Sequence, residues 1–222
     1  MSLHGKRYVF VTGATGYLGR PLVGRLLELG HSVRALVRGA SAPKLPPSVE
    51  PVIGDALDAS TYATRVQRGD VFVHLVGVSH PSPAKAAEFK SVDLASVTAA
   101  AEAARAAGSS RFVYVSVAQP APVMKDYLEA RAAGEARVRE TGLPASILRP
   151  WYVLGPGHRW PYLLLPFYGA AWLFPGSRAT ARRLGLIRLP TMIRALVGAV
   201  ESDRTGVEVL DVPALRAAGR AD

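Results

Sequence analysis

A glycine-rich stretch near the start of the chain, VTGATGYLG at residues 11–19, limits the possible folds more than any other feature. It follows a run of β-branched and aromatic residues, Arg7 to Val11, and precedes leucines at positions 18, 22, 26 and 29 that recur at helical spacing. A strand, a glycine turn and a helix in this order are typical of the first unit of a parallel α/β sheet. The sequence therefore predicts that the chain begins with a strand–turn–helix unit.

Short β-rich runs and helical patterns continue to alternate as far as Pro150. Further strands are predicted at 31–37, 51–55, 70–77, 111–117 and 144–150, and helices at 61–67, 84–107 and 126–141, with a surface loop at 39–50. Beyond Pro150 only a helix near 191–202 and a strand at 206–212 are predicted. We therefore predict an α/β fold of the Rossmann type, a doubly wound parallel sheet with helices on both faces and a small C-terminal extension.

The glycines of the turn predict what this sheet binds. Gly13, Gly16 and Gly19 suit three tasks: a tight turn, a close approach of the backbone to a pyrophosphate, and close packing of helix on strand. The N-terminus of the following helix then presents free N–H groups to phosphates. We predict a dinucleotide-binding domain that spans residues 1–222, with a cofactor-binding core at 1–150 and a substrate-side extension at 151–222. Thr15, Tyr17 and Leu18 of the turn are expected to contact the cofactor.

The end of the second strand predicts which dinucleotide is bound. A carboxylate there would hydrogen-bond the ribose of NAD, whereas an arginine accommodates the 2′-phosphate of NADP. Arg38 occupies this place, with Arg34 on the same strand, so NADP is favoured over NAD. Alternatively, both arginines are solvated surface charges. Asp55 either reaches the adenine amino group or, like Asp58, caps the following helix.

The composition of the chain indicates which other kinds of partner it could bind. Twenty-seven basic and seventeen acidic residues give a net charge of +10, which favours anionic partners. The arginines are spread along the chain rather than gathered in a basic arm, so no nucleic-acid binding is predicted. There are no cysteines, and no spacing of His, Asp and Glu suggests a metal site. The N-terminus is unlike a signal peptide, which predicts a cytoplasmic protein.

One apolar segment, Trp160 to Phe174, allows two interpretations. It has fifteen residues and includes Pro161 and Pro166, whereas a membrane-spanning helix needs about 20 apolar residues. We predict a buried helix or a lid over an apolar pocket. The alternative is peripheral membrane contact, assisted by the nearby cations Arg178, Arg182 and Arg183.

The chain resembles the short-chain dehydrogenase/reductase superfamily, in its extended or atypical branch of epimerase-like and NmrA-like NAD(P)-binding proteins. The resemblance rests on TGATGYLGRPLVGRLLELGHSVRALVR, on GD at 54–55, on RFVYVS, on the Y…R…GE pattern and on GLPASILRP, and it covers Lys6 to Gly157. It implies a Rossmann fold and an NAD(P) cofactor. At the ends of the predicted strands, Ala56, Val76, Gly77 and Pro150 are further expected cofactor contacts.

The resemblance also implies a catalytic set of Ser or Thr, Tyr and Lys, with the last two spaced Y-x-x-x-K. Tyr127 stands at the tyrosine position, and Arg131 replaces the lysine. The hydroxyl position falls on Val117, with Ser116 just before it, and alternation along a strand lets only one of the two face the cofactor. An arginine keeps the positive charge but not the shape of a lysine. Alternatively, Tyr127 and Arg131 are only helix neighbours, with Arg131 and Glu135 as a second i,i+4 pair.

Other polar residues are weaker candidates. His74 lies in an apolar strand and is predicted to be a core histidine. Ser79 and His80 either touch ribose or substrate or form the turn before Pro81. His158 and Arg159, among aromatic residues, either line the substrate side or belong to the core.

Two function hypotheses follow. The first is an NADP-dependent oxidoreductase or epimerase-like enzyme that acts on a small apolar carbonyl or alcohol, with Tyr127 as proton donor. Such a reaction needs a proton donor beside the reacting oxygen. The second is a non-catalytic NADP-binding protein, either a redox sensor or an accessory subunit.

Overall fold

Seven parallel strands form the central sheet in a computed structural model, which describes residues 5–78, 82–157, 180 and 182–220. The strands, in chain order, are β1 (Tyr8–Thr12), β2 (Ser32–Val37), β3 (Glu50–Ile53), β4 (Val71–His74), β5 (Arg111–Val115), β6 (Ala145–Leu148), β7 (Tyr152–Leu154), β8 (Leu186–Arg188) and β9 (Val207–Leu210). The order across the main sheet is β3-β2-β1-β4-β5-β6-β9, and β7 pairs with β8 in a separate parallel pair. The sheet order reverses between β1 and β4, which opens a crevice at their carboxyl ends. The predicted Rossmann-type sheet is confirmed.

Helices cover both faces of the sheet. They are α1 (Gly19–Glu28), α2 (Ala86–Glu88), a π-helical turn (Phe89–Leu94), α3 (Ala95–Ala107), α4 (Lys125–Glu140), α5 (Leu189–Glu201) and α6 (Val212–Ala218). Successive side chains of β1 point to opposite faces of the sheet, so they belong to two different hydrophobic clusters. Val9 and Val11 pack with Leu22 of α1 and Leu196 of α5, whereas Phe10 packs with the alanines of α3 on the other face. The doubly wound arrangement is therefore confirmed.

Three local predictions held only in part. In place of one helix at 61–67 there are two short 3₁₀ helices, Ala59–Thr61 and Ala63–Arg65, and the first begins after Asp58, whose side chain accepts a hydrogen bond from Ser60 N. The surface loop at 39–50 contains a 3₁₀ helix, Gly39–Lys44. The helix at 84–107 is interrupted by the π-helical turn, and such turns often occur at functional sites. The β7–β8 pair and α6 were not predicted.

His74 is a core histidine, as predicted. It is fully buried, with Nδ1 2.8 Å from Thr12 Oγ1 and Nε2 3.3 Å from Ser96 Oγ. Burial, with a smaller effect of the Arg131 charge, lowers the pKa of His74 to about 3. The folded protein therefore holds this imidazole neutral.

This buried histidine predicts a loss of stability in mild acid. Only the unfolded chain protonates the imidazole between its ordinary pKa of 6.5 and the folded pKa of about 3. The free energy of unfolding should therefore fall by about 2 kcal/mol between about pH 7.5 and about pH 5 on account of His74. In His74→Gln the free energy of unfolding should lack this decrease of about 2 kcal/mol. Urea unfolding at the two pH values would measure the free energy of unfolding of both proteins. An equal decrease in both proteins would contradict the assignment.

Candidate functional site

The glycine turn forms a cradle at the carboxyl end of β1. Gly13 has φ +78°, and a Cβ on it would lie 2.9 Å from the carbonyl carbon of Leu75. A Cβ on Gly19 would collide with the carbonyl oxygen of Gly13, so the third glycine serves the packing of helix on strand. No side chain caps the N-terminus of α1. In the first turn, Arg20 N donates to the carbonyl oxygen of Gly16 and Pro21 has no N–H. The N–H groups of Leu18 and Gly19, which have no bond to a described residue, can therefore receive a phosphate.

Two adjoining cavities lie along this cradle and share Leu75 and Gly77. Cavity A has a volume of about 420 Å³ and cavity B of about 540 Å³. Predicted residues lining cavity A are Gly13, Thr15, Gly16, Arg38, Asp55, Ala56, Val76 and Gly77. Predicted residues lining cavity B are Tyr17, Leu18, Gly77, Ser116, Tyr127, Arg131 and Pro150. Every predicted cofactor or catalytic residue except Gly19 lines one of the two.

The two arginines of the second strand have different environments. Arg38 is exposed at the edge of cavity A, and its guanidinium has no hydrogen-bond partner among the described residues. Arg34 is buried and makes two bonds to Asp70, of 2.6 and 2.7 Å, and one to the carbonyl oxygen of Arg65. It lies three residues before the end of β2, away from the carboxyl ends where ligands bind. Arg34 is therefore not a solvated surface charge, and that alternative was wrong for it.

The two carboxylates after β3 also differ. Asp58 caps the 3₁₀ helix Ala59–Thr61. Asp55 lines cavity A, and its Oδ1 accepts a hydrogen bond from Leu57 N at 3.0 Å. The capping alternative therefore holds for Asp58, while Asp55 remains a predicted cofactor contact.

Helix α4 brings Tyr127 and Arg131 to cavity B. The ring of Tyr127 packs on Phe89, with centroids 5.0 Å apart, and the Arg131 Cζ lies 5.2 Å from the Tyr127 ring centre. The guanidinium of Arg131 is buried: Nη2 lies 2.6 Å from Asp93 Oδ1, and Nη1 donates to the carbonyl oxygen of Val115 at 3.0 Å. Arg131 thus pairs with Asp93 of the π-helical turn. The alternative in which it pairs with Glu135 was wrong.

The position of Gly77 allows this pair to form. A Cβ on Gly77 would collide with Arg131 Nη2 and lie 2.9 Å from Asp93 Oδ1. Burial lowers the pKa of Arg131, but the surrounding oxygens of Tyr127, Tyr114 and Asp93 raise the pKa by more. Arg131 therefore keeps its positive charge beside Tyr127.

Glu135 has a different set of partners. Its Oε1 accepts hydrogen bonds from Ser116 Oγ at 2.7 Å, Gln119 Nε2 at 2.8 Å and Arg149 Nε at 2.8 Å. A carboxylate only accepts, so the Ser116 hydroxyl hydrogen points to Glu135. Val117 lines cavity B beside Ser116. Ser116 and Val117, the two residues at the hydroxyl position, therefore both line cavity B. The hydroxyl hydrogen of Ser116 is already donated to Glu135.

Sequence reasoning assigned no role to Asp93, Gln119 or Arg149. One local feature of the sequence could have indicated a role for Asp93. It lies four residues before Val97 and seven before Ala100, on a helix face that is otherwise buried and apolar. A carboxylate on such a face needs a cationic partner. Its partner could not be identified from local spacing, because Arg131 lies on another helix.

Several predicted residues lie outside the described ranges: Ser79, His80, His158, Arg159, Arg178 and the segment Trp160 to Phe174. Within the described ranges, no helix is both long and apolar enough to cross a membrane. Nor do three or more His, Asp or Glu side chains there form a group that could hold a metal ion.

Comparison with known proteins identifies relatives of this chain. The model of a family described as NAD(P)H-binding matches residues 13–158. Ceramide reductase of Caulobacter vibrioides is 37% identical over 162 residues, which cover 71% of this chain and 50% of that protein. The 3-diazoavenalumate denitrifying reductase of a Streptomyces species is 31% identical over 228 residues, covering 89% of this chain and 73% of that protein. The chain thus spans half the length of the first relative.

A solved structure shows the same fold. The Bordetella bronchiseptica enzyme WbmH, crystallised in complex with NAD+, superposes with a TM-score of 0.68 and 21% identity. The match covers 91% of this chain and 75% of that one. At this identity the comparison establishes the fold alone.

Proposed function

The chain belongs to the NAD(P)H-binding family, and we propose that it is an NADP-preferring oxidoreductase acting on a small apolar carbonyl or alcohol. One observation carries the proposal. Cavity A, lined by the glycine turn and Arg38, adjoins the largely apolar cavity B at their shared residues Leu75 and Gly77, and Tyr127 lines cavity B. A dinucleotide lying along the turn would place its adenosine half in A and its nicotinamide in B.

The preference for NADP rests on Arg38. Its exposed guanidinium is available for the 2′-phosphate, and Ser41 lines the same part of cavity A. A hydrogen bond to a charged group contributes roughly 1.5 to 3 kcal/mol, which is about tenfold to hundredfold in affinity.

Replacement of Arg38 tests this preference. Arg38→Gln should weaken NADPH binding by about tenfold to hundredfold and leave NADH binding nearly unchanged. Titration of the fluorescence of each reduced cofactor would measure both dissociation constants. Arg25→Gln is a matched control, because Arg25 is exposed on α1 and pairs with Glu28. Equal affinity of the unmodified protein for NADPH and NADH would refute the argument.

The lining of cavity B supports an apolar, uncharged substrate. Apolar side chains dominate it: Leu18, Leu75, Val78, Val117, Met124 and Val153. Its charged side chain among the described residues is Arg131, whose Nη2 is paired with Asp93. A substrate carboxylate or phosphate would therefore find no unpaired cation among the described residues of this lining. The two curated relatives are reductases by name, which supports reduction of a carbonyl.

Tyr127 is the proposed proton donor in this reaction. Bound NADPH would supply the hydride that reduces the substrate carbonyl carbon. The Tyr127 hydroxyl would donate its proton to the carbonyl oxygen, and the charge of Arg131 beside the ring would stabilise the tyrosinate left behind. Ser116 accepts hydrogen bonds more readily than it donates, because its hydrogen is held by Glu135.

One observation favours the non-catalytic alternative. The other two residues of the proposed catalytic set already have partners within the protein. Arg131 forms an ion pair with Asp93, and Ser116 donates a hydrogen bond to Glu135. A protein of this kind would bind NADPH without turnover. Loss of NADPH absorbance with a panel of apolar aldehydes and ketones separates the two hypotheses: turnover supports the enzyme, and tight binding without turnover supports the sensor or accessory subunit.

A further inference from the structure

Four arginines line a third cavity, which lies at β8, α5 and α6. Arg188, Arg194, Arg216 and Arg220 line it together with Thr191, and its volume is about 420 Å³. No carboxylate occurs among the described residues of its lining. We call this site the arginine cavity. It shares no lining residue with cavities A and B.

Some exposed arginines of the described chain have a carboxylate partner, whereas others, such as Arg68, Arg105 and Arg139, form no salt bridge with a described residue. Arg25, Arg65, Arg137 and Arg204 each form a salt bridge with a glutamate. Four guanidinium groups around one cavity repel each other, and an anion would offset this repulsion. The charge pattern therefore indicates an anionic ligand.

The backbone orients two of these guanidinium groups. Arg194 Nε donates to the carbonyl oxygen of Gly219 at 2.5 Å, and Arg216 Nη2 donates to that of Leu186 at 2.6 Å. Each bond uses one donor and leaves the other N–H groups of that side chain available. Gly185 permits the approach of Arg216, since a Cβ there would lie 2.7 Å from Arg216 Nη2. The cavity is thus partly preorganised for a ligand with several acceptor oxygens.

The N-terminus of α5 adds positive potential at the same place. This helix has 13 residues, begins directly after Arg188, and has neither a side-chain cap nor an acidic residue in its first turn. Thr191 of that first turn lines the cavity. The partial charge of the helix end is therefore uncompensated by the helix's own side chains.

We infer that the arginine cavity binds a phosphate group. Guanidinium forks match phosphate oxygens in geometry as well as charge, and a phosphate accepts several such bonds at once. The group would belong either to a soluble phosphate or to the headgroup of an anionic lipid. Both sources present the same oxygens to the four arginines.

The test uses a charge-matched pair of double variants of the whole chain. Arg188→Gln with Arg220→Gln removes two exposed cavity side chains that have no partner among the described residues. Arg25→Gln with Arg137→Gln removes two exposed arginines elsewhere. Calorimetry measures the binding of inorganic phosphate, with excess NADP+ present to saturate the cofactor site. Co-sedimentation measures binding to vesicles of phosphatidylcholine with and without phosphatidylglycerol.

The expected result is binding that weakens by about tenfold or more in the cavity variant and less than twofold in the control variant. Loss of phosphate binding identifies a soluble ligand, and loss of vesicle binding that depends on phosphatidylglycerol identifies a lipid headgroup. The inference is wrong if neither probe binds, or if both double variants lose binding equally, because net charge alone would then explain the result.

Discussion

Tyr127→Phe should abolish NADPH-dependent reduction while leaving NADPH binding intact. The substitution removes only the hydroxyl, so the ring still packs on Phe89 and still borders Arg131. Loss of a positioned proton donor lowers the rate by about 10²- to 10⁴-fold. Initial rates of NADPH oxidation with an apolar carbonyl compound would measure kcat, and fluorescence titration would measure the dissociation constant of NADPH.

Tyr152→Phe provides the matched control. Tyr152 lines the same cavity from β7, and burial raises the pKa of its hydroxyl, so it stays protonated and could compete for the role of donor. We expect its replacement to leave kcat within a few-fold of the unmodified protein. A large loss in Tyr152→Phe together with a normal rate in Tyr127→Phe would transfer the role to Tyr152. A loss of NADPH binding in Tyr127→Phe would show that Tyr127 acts on the cofactor.

Local sequence predicted the residues that line cavity A, because the determinants of their positions are local. The turn from Gly13 to Gly19 lies between one strand and one helix, and the position of Arg38 follows from the end of the next strand. Steric requirements at Gly13 and Gly19 involve backbone atoms of the same unit or of the adjacent strand. These residues can be assigned a place before any tertiary contact is known.

The surroundings of Arg131 and Glu135 beside cavity B depend on contacts between distant segments. Arg131 was interpreted by its spacing from Tyr127 and Glu135, but its closest charge comes from Asp93 on the π-helical turn. Glu135 likewise pairs with Arg149, which follows β6. Spacing along one helix predicts which residues share a face, and does not reveal which distant residue packs against that face. For the same reason the sequence could not show that Arg34 is buried and Arg38 exposed, because the partner of Arg34, Asp70, is distant in sequence.

The buried ion pair of Arg131 and Asp93 can be tested by removing Asp93. The side chain of Asp93 is fully buried and that of Arg131 is 8% exposed. Asp93→Ala would leave the buried guanidinium without a counter-charge, which costs about 3 to 5 kcal/mol. Because each kcal/mol corresponds to about 2 to 4 °C for a chain of this size, thermal denaturation should show a Tm lowered by about 6 to 20 °C.

Glu129→Ala is the control, since Glu129 is an exposed carboxylate on α4 and its loss should change stability by about 0.5 kcal/mol at most. A Tm of Asp93→Ala close to that of the control would contradict the structural role of the pair.

A double variant separates the structural role of Arg131 from its electrostatic role. Asp93→Leu with Arg131→Met replaces the ion pair by apolar side chains of similar volume, and such replacements are often neutral for stability. We therefore expect a Tm near that of the unmodified protein. If the charge of Arg131 stabilises the tyrosinate of Tyr127, the double variant should fold normally, bind NADPH, and still lose most of its turnover. Normal turnover would mean that Arg131 only anchors α4 to the π-helical turn, and that Tyr127 transfers its proton without help from that charge.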